Sequence, residues 1–244
     1  MNYTTTEIYN DGFGAQYQRI ISYYIYSKYN NLIFHYRPFD KIEHNYDNDE
    51  QFINKKEEFI NLKNNLINYD PNKYNYNIKD VWCIYNYIDK NINEYYQSEH
   101  MEFIKDCFWK NKDKKYFKND KINVAVHIRR QNNNDYNNFD PSLRSLPDTK
   151  YLNIINIIRN RHKTNLLFHI YSQGNITDFD KFKNEDVVLH IDTDIEDTFI
   201  GLVAADILIT SKSSFSYVAA LLSNGIIYYN PFWHPPLNKW IICT

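Results

Sequence analysis

Cysteines and long apolar runs are both scarce in this chain of 244 residues. The three cysteines, Cys83, Cys107 and Cys243, lie far apart and form no CxxC pair. So few thiols argue against a disulfide framework and favour reduced cysteines in a cytoplasm-like compartment. No apolar run approaches the roughly 18–20 residues that span a bilayer, and the polar first residues lack the apolar core of a signal peptide. The sequence therefore predicts a soluble, cytoplasmic protein without a membrane span.

Several catalytic signatures are also missing. The patterns HExxH, GxSxG and GxxxxGK[ST] do not occur, and a G-x-G-x-x-G pattern fails because Tyr17 stands at its third glycine. Zinc-protease, serine-hydrolase, P-loop and nicotinamide-binding functions therefore have no support. With 28 basic and 30 acidic residues, the net charge is −2. This balance argues against nucleic acid as the main partner.

The residues from about 119 onward have a regular pattern. Short apolar runs alternate with segments of helical periodicity, which predicts βαβ units and a parallel sheet. The predicted strands are 122–128, 166–171, 187–191, 207–210 and 226–229, and the predicted helices are 149–161, 196–204 and 215–223.

The first half of the chain is less regular. A strand at 7–9, a helix at 15–29 and a strand at 32–36 form one unit, and further helices are predicted at 57–67 and 95–109. The topology of the charged, Asn- and Tyr-rich middle does not follow from its pattern. We divide the chain into an N-terminal, acceptor-side lobe, 1–118, and a C-terminal, Rossmann-like, nucleotide-binding lobe, 119–244.

A buried strand that ends in cationic side chains is the most informative feature. The apolar run from Val124 to Ile128 includes His127 and leads directly to Arg129 and Arg130. Ligands of open α/β sheets bind at the carboxyl ends of strands, and guanidinium groups match phosphate oxygens. The pattern predicts a diphosphate site. Alternatively, the arginines pair with carboxylates and the histidine is structural.

A second candidate anion site follows another predicted strand. Ser211, Lys212, Ser213 and Ser214 lie between that strand and a helix that begins near Phe215. Unpaired N–H groups and the helix dipole favour an anion there. Alternatively, Ser213 or Ser214 only caps the helix. If the two strand ends are neighbours, both groups of side chains can hold one pyrophosphate.

Three weaker signals complete the candidates. Gly12 and Gly14 form a turn before a helix and either let a ligand approach the backbone or only shape the turn. Asp197 could accept the paired N–H groups of guanine or only complement a helix N-terminus. Asp192 and Asp194 have the spacing of a DxD metal site, but the same spacing recurs in a low-complexity stretch.

Three segments resemble motifs of one superfamily. Residues 127–130, His-Ile-Arg-Arg, resemble the H-x-R-R-x-D motif of the α1,2-, α1,6- and protein O-fucosyltransferases. Residues 12–16, Gly-Phe-Gly-Ala-Gln, resemble the G-x-G-N-Q turn of that superfamily, and 211–222 resemble its C-terminal serine motif. The chain departs from these motifs at Asn132, where the family has Asp, and at Ala15, where it has Asn.

The resemblance implies an α/β, GT-B-like fold with two Rossmann-like lobes, of which the N-terminal one is trimmed. It also implies transfer of fucose from GDP-fucose to a glycan or protein hydroxyl, with inversion and with no cofactor or metal besides the nucleotide-sugar donor. By position, the resemblance implies that Arg129 binds the β-phosphate and that Arg130 supports the phosphate or the sugar. It implies that His127 contacts the nucleotide and that Asp197 binds guanine. It also implies phosphate contacts for Ser213, Ser214 and Phe215.

The predicted chemistry is displacement of a nucleoside diphosphate by an acceptor hydroxyl. Arg129, Arg130 and the serine loop would stabilise the charge that grows on the leaving phosphate, and Asp11 is the candidate base. Two alternatives remain at this point. One is a metal-dependent, GT-A-like transferase that uses Asp192 and Asp194, and the other is a non-catalytic nucleotide- or glycan-binding protein.

Overall fold

The protein is described by a computed structural model that covers residues 2–45, 47–130, 145–162 and 165–243. The chain divides into two compact units, Met1–Asp113 and Lys114–Thr244. The lobe boundary at 118/119 and the roles of the two lobes stay predictions. Among the described ranges, no helix combines the length and apolarity needed to cross a bilayer.

The first unit is built around one buried helix. Helix α1, Phe13–Tyr29, is buried along almost its whole length, and Tyr17, Ile20 and Ile21 are at most 2% exposed. The remaining elements of this unit are β1 (Tyr3–Thr4), β2 (Ile33–Phe34), α2 (Phe52–Ile60), α3 (Val81–Lys90), α4 (Ile92–Tyr96) and α5 (Glu99–Trp109), and β1 pairs with β2 in parallel.

The strand predicted at 7–9 is wrong. The carboxylate of Glu7 accepts a hydrogen bond from the backbone N–H of Val81 at 3.0 Å, which ties this segment to the start of α3 instead of to the small sheet. Ile8 and Tyr9 are 38% and 40% exposed, so the apolar letters of this segment do not mark a buried strand.

Two predicted helices have different bounds from those expected. The helix predicted at 57–67 is α2, which ends at Ile60 because the next residue, Asn61, has a left-handed backbone conformation (φ 53°). The helix predicted at 95–109 is two helices, because Ser98 interrupts it and caps α5 by accepting a hydrogen bond from Met101. Helix α3 was not predicted, although Asp80 is an ordinary N-cap signal before it.

The second unit is a parallel sheet of six strands in the order β5-β4-β3-β6-β7-β8. The predicted α/β class with a parallel sheet is confirmed. The elements are β3 (Ile122–His127), α6 (Asp148–His162), β4 (Leu166–Ser172), a 3-10 helix (Ile176–Phe182), β5 (Val187–Ile191), α7 (Ile195–Ala204), β6 (Ile207–Ile209), α8 (Ser214–Leu222), β7 (Ile226–Tyr229) and β8 (Ile241–Ile242). The 3-10 helix and β8 were not predicted.

The two faces of β3 have different surroundings. Val124, Val126 and Ile128 belong to the apolar core that includes one face of α6. Because side chains alternate along a strand, Asn123 and His127 lie on the opposite face. The chain first adds β4 and β5 on one side of β3 and then returns to add β6 on the other. The boundary between β3 and β6 is therefore the topological switch point at which open α/β sheets bind ligands.

Candidate anion-binding site

His127 and Ser211 meet at this switch point. His127 ends β3, Ser211 follows β6, and the two strands are paired in parallel, so their carboxyl ends lie side by side. The Nδ1 atom of His127 lies 2.8 Å from the Oγ atom of Ser211, which is only 1% exposed. The ring of Phe215 lies 5.5 Å from the imidazole, centroid to centroid. Three residues predicted from two separate motifs therefore come together.

The imidazole of His127 is neutral at physiological pH. Burial, assisted by the charge of Arg129, lowers the pKa of His127 to about 3. Its Nε2 atom has no hydrogen-bond partner within the described residues, and the residue is partly exposed. His127 thus presents one uncharged ring nitrogen without a partner in that part of the chain, at the end of the strand. Arg129 contributes positive charge close to it.

The serine loop is ordered by its own hydrogen bonds. Ser213 caps α8, because its hydroxyl oxygen accepts a bond from the backbone N–H of Phe215 at 3.2 Å. Ser213 therefore caps the helix, and its contact with phosphate stays a prediction. Ser216, which the sequence reasoning missed, accepts a bond from the backbone N–H of Ser211 at 3.1 Å. Ser214 is the first residue of α8 and is partly exposed.

Arg130 has a structural partner. Its guanidinium donates to Asp148 Oδ1 at 2.6 Å and lies 5.1 Å from the ring centroid of Phe179. Lys181 lies 2.6 Å from the other oxygen of the same carboxylate. Arg130 therefore has a carboxylate partner, and the predicted grip on phosphate by two arginines stays a prediction. The alternative of carboxylate pairing describes Arg130, and the charge of the adjacent Arg129 acts on His127.

The acidic candidates of the second unit are dispersed. Asp197 is exposed in the first turn of α7. Asp192 Oδ1 accepts a hydrogen bond from the backbone N–H of Gly174 at 3.1 Å, and Asp194 is the N-cap residue of α7. Within the described residues, no three His, Cys, Asp or Glu side chains form a group that could hold a metal ion. The metal-dependent alternative therefore gains no site from these residues.

The candidates of the first unit surround the start of α1. Asp11 is paired with Arg19, and burial raises the pKa of Asp11 despite that cation. Gly12 precedes α1 with φ −69°, so the turn does not require glycine for its backbone, and Gly14 is buried inside the helix. The side-chain amide of Gln16 donates to the carbonyl oxygen of Asp11 at 2.7 Å and helps to hold the turn.

One part of the motif cannot be placed. Asn132, which replaces the motif's Asp, and the predicted polar loop 131–138 lie outside the described residues.

Comparisons with solved structures give distant likenesses. No family model matches the chain, and no curated protein matches it. Two solved structures that resemble it are crystal structures of POFUT1 in complex with GDP. The match to the first has a TM-score of 0.34 and 13% sequence identity and covers 82% of this chain. The match to the second has a TM-score of 0.33 and 14% sequence identity and covers 81% of this chain. This chain spans 63% of the length of each of those chains.

Proposed function

We propose that this protein is a glycosyltransferase whose second unit binds a nucleotide sugar through its diphosphate. The observation that carries the proposal is the contact of His127 with Ser211 across the switch point between β3 and β6. That position is where open α/β sheets bind ligands. The order of the three motifs favours GDP-fucose as donor and a glycan or protein hydroxyl as acceptor.

The donors at this edge suit a diphosphate. Arg129 brings a permanent positive charge, His127 brings a neutral ring nitrogen, and the first turn of α8 brings backbone N–H groups. A helix N-terminus favours an anion both through those N–H groups and through the helix dipole. Asp197, at the start of α7, is the proposed contact for guanine.

In the proposed reaction, an acceptor oxygen attacks the anomeric carbon while the bond from that carbon to the β-phosphate oxygen breaks. The electron pair of that bond stays on the phosphate, so negative charge grows there in the transition state. Arg129 and the donors of α8 stabilise this charge more strongly than they stabilise the ground state, which lowers the barrier. Asp11 is the proposed base that takes the acceptor's proton, and burial, which raises its pKa, favours that role. We propose that no metal or further cofactor takes part.

The decisive variant is Arg129→Ala, tested for sugar release and transfer from GDP-fucose. We expect a fall of about 10²–10³ in rate, the usual effect of removing one donor that stabilises transition-state charge. Arg161→Ala is the matched control, since Arg161 lies at the end of α6 and bonds to the hydroxyl of Tyr228 instead. A folded Arg129→Ala protein with turnover close to wild type would overturn the proposal.

A non-catalytic nucleotide-binding protein is the second candidate. The pairing of Arg130 with Asp148 favours it, because that pairing removes one of the two cations expected to stabilise the leaving group. A thermal-shift series with GDP, UDP and their sugars, followed by an assay of sugar release, separates the two candidates. Stabilisation by GDP without any sugar release would favour the second.

A further inference from the structure

We propose that Ser211 is a positioning residue that holds His127 in the tautomer with its proton on Nε2. The imidazole then donates a neutral hydrogen bond to a phosphate oxygen of the bound diphosphate. This inference rests on the proposed function, because it assigns the ligand atom that His127 contacts. It adds a role for Ser211 that differs from direct contact with the phosphate.

The direction of the hydrogen bonds around Ser211 supports this tautomer. The backbone N–H of Ser211 donates to Ser216 Oγ at 3.1 Å, so the Ser216 hydroxyl proton points to another acceptor. The acceptors near it are the Oγ and carbonyl oxygens of Ser211, both at 3.3 Å, and the carbonyl oxygen of Ser213 at 3.4 Å. The hydroxyl proton of Ser211 can point to His127 Nδ1 at 2.8 Å or to Ser216 Oγ at 3.3 Å, and the shorter contact favours Nδ1. If Ser211 donates to Nδ1, the ring proton must be on Nε2.

The chemistry of the ligand selects the same tautomer. Phosphate oxygens only accept hydrogen bonds, so a ring with its proton on Nδ1 would turn the lone pair of Nε2 toward an anion. Nε2 has no hydrogen-bond partner within the described part of the chain, and His127 is partly exposed. A neutral donor is also compatible with the nearby charge of Arg129, whereas a second cation would be repelled by it. Burial keeps the imidazole neutral, since it lowers the pKa of His127 to about 3.

The aromatic neighbours fix the plane of the ring. Phe215 packs on His127, and Phe199 in α7 packs edge-on against Phe215 with their centroids 5.1 Å apart. The imidazole therefore has little freedom to turn, and the hydroxyl of Ser211 decides which nitrogen carries the proton. Removing that hydroxyl is expected to release the tautomer while the ring stays packed.

The experiment compares wild type, Ser211→Ala and Ser211→Thr, with Ser223→Ala as control because Ser223 lies at the far end of α8. Imidazole ¹⁵N spectra of the ligand-free proteins report the tautomer of His127. Calorimetric titrations with pyrophosphate, GDP and guanosine report affinity. Circular dichroism verifies that each variant is folded.

We expect the Nε2-protonated form in wild type and in Ser211→Thr, and a mixture of tautomers in Ser211→Ala. We also expect Ser211→Ala to bind pyrophosphate and GDP about 3- to 10-fold more weakly, the range for one lost hydrogen bond. Guanosine lacks phosphate, so its affinity should not change. A purely structural role for Ser211 would weaken guanosine binding as well.

The failures of the two proposals are distinguishable. If wild type binds neither pyrophosphate nor GDP, the proposed function fails. If wild type binds both and a folded Ser211→Ala binds them equally well, the inference about Ser211 fails alone. A proton on Nδ1 in the ligand-free wild type would overturn the inference whatever the ligands do.

Discussion

Acid is expected to destabilise the second unit through a buried histidine in the middle of its sheet. His169 lies in β4 and is 6% exposed. Its Nε2–H donates to Asn123 Oδ1 at 3.1 Å, and its Nδ1 faces His190 Nε2 at 3.0 Å. Exchanging the oxygen and nitrogen of the Asn123 side-chain amide would break a hydrogen bond, because its nitrogen donates to the carbonyl oxygen of Lys121 at 2.9 Å. Neutral His169 therefore uses both ring nitrogens, one as donor and one as acceptor.

The size and sign of the effect follow from the pKa. Burial, with a contribution from His190, lowers the pKa of His169 to about 4, whereas a histidine in an unfolded chain has a pKa of about 6.5. As pH falls below about 6.5, this histidine is protonated in the unfolded chain but stays neutral in the folded protein. The free energy of unfolding therefore decreases with falling pH until the folded protein also binds the proton, at about pH 4. The full difference corresponds to roughly 3 kcal/mol, an upper value for this residue.

The assay is urea unfolding between pH 7 and pH 4, followed by the amide signals of β4. His169→Phe keeps a ring beside Phe117, whose centroid lies 4.4 Å from that of His169, but removes the proton-binding site. We expect this variant to be less stable at pH 7, by about 1–2 kcal/mol for the lost hydrogen bonds. It should lose clearly less stability than wild type on acidification.

Tyr171→Phe is the control for that series. Tyr171 stacks on His190 with centroids 4.5 Å apart, and its buried hydroxyl has no partner within the described residues. The variant keeps the stacked ring and should lose stability with pH as steeply as wild type. If wild type and His169→Phe have the same dependence on pH, His169 is not the group whose protonation is suppressed by folding.

Three other changes have expected outcomes. A Cβ atom at Gly201 would lie 2.1 Å from the hydroxyl oxygen of Tyr171, so Gly201→Ala should lower stability by about 1–3 kcal/mol; an unchanged melting temperature would contradict this packing. Ser213→Ala should lower the free energy of unfolding in urea by about 1 kcal/mol, because it removes the N-cap of α8. An unchanged free energy of unfolding would show that this cap does not stabilise the protein. Asp11→Asn should abolish sugar transfer while GDP still raises the melting temperature, and normal transfer would exclude Asp11 as the base.

The pattern of residues by itself determined most of the second unit and the central helix of the first. The alternation of apolar runs with helical periodicity predicted β3 to β7 and the helices α6, α7 and α8, and α1 was predicted within two residues of its start. Local pattern was sufficient because a buried strand or an amphipathic helix displays its period in its own residues. The same pattern placed two polar clusters directly after buried strands.

The elements that were missed depend on distant partners. The pair of residues in β1 and the pair in β8 are too short to have a period, and they are strands only because a neighbouring strand lies beside them. The segment 7–9 has apolar residues typical of a strand, yet the carboxylate of Glu7 accepts a hydrogen bond from the backbone N–H of the distant Val81, and the segment lies outside the small sheet. Such outcomes depend on which side chains meet, and a local reading of the chain does not contain that information.

The candidate site divides in the same way. The sequence determined that His127 ends one strand and that Ser211 follows another, because both facts are local. Only the tertiary structure decided that β3 and β6 are neighbours, which brings His127 and Ser211 within 2.8 Å. It also decided that Arg130 forms an ion pair with Asp148. A guanidinium binds a carboxylate strongly, but the sequence does not show which carboxylate the fold brings close to it.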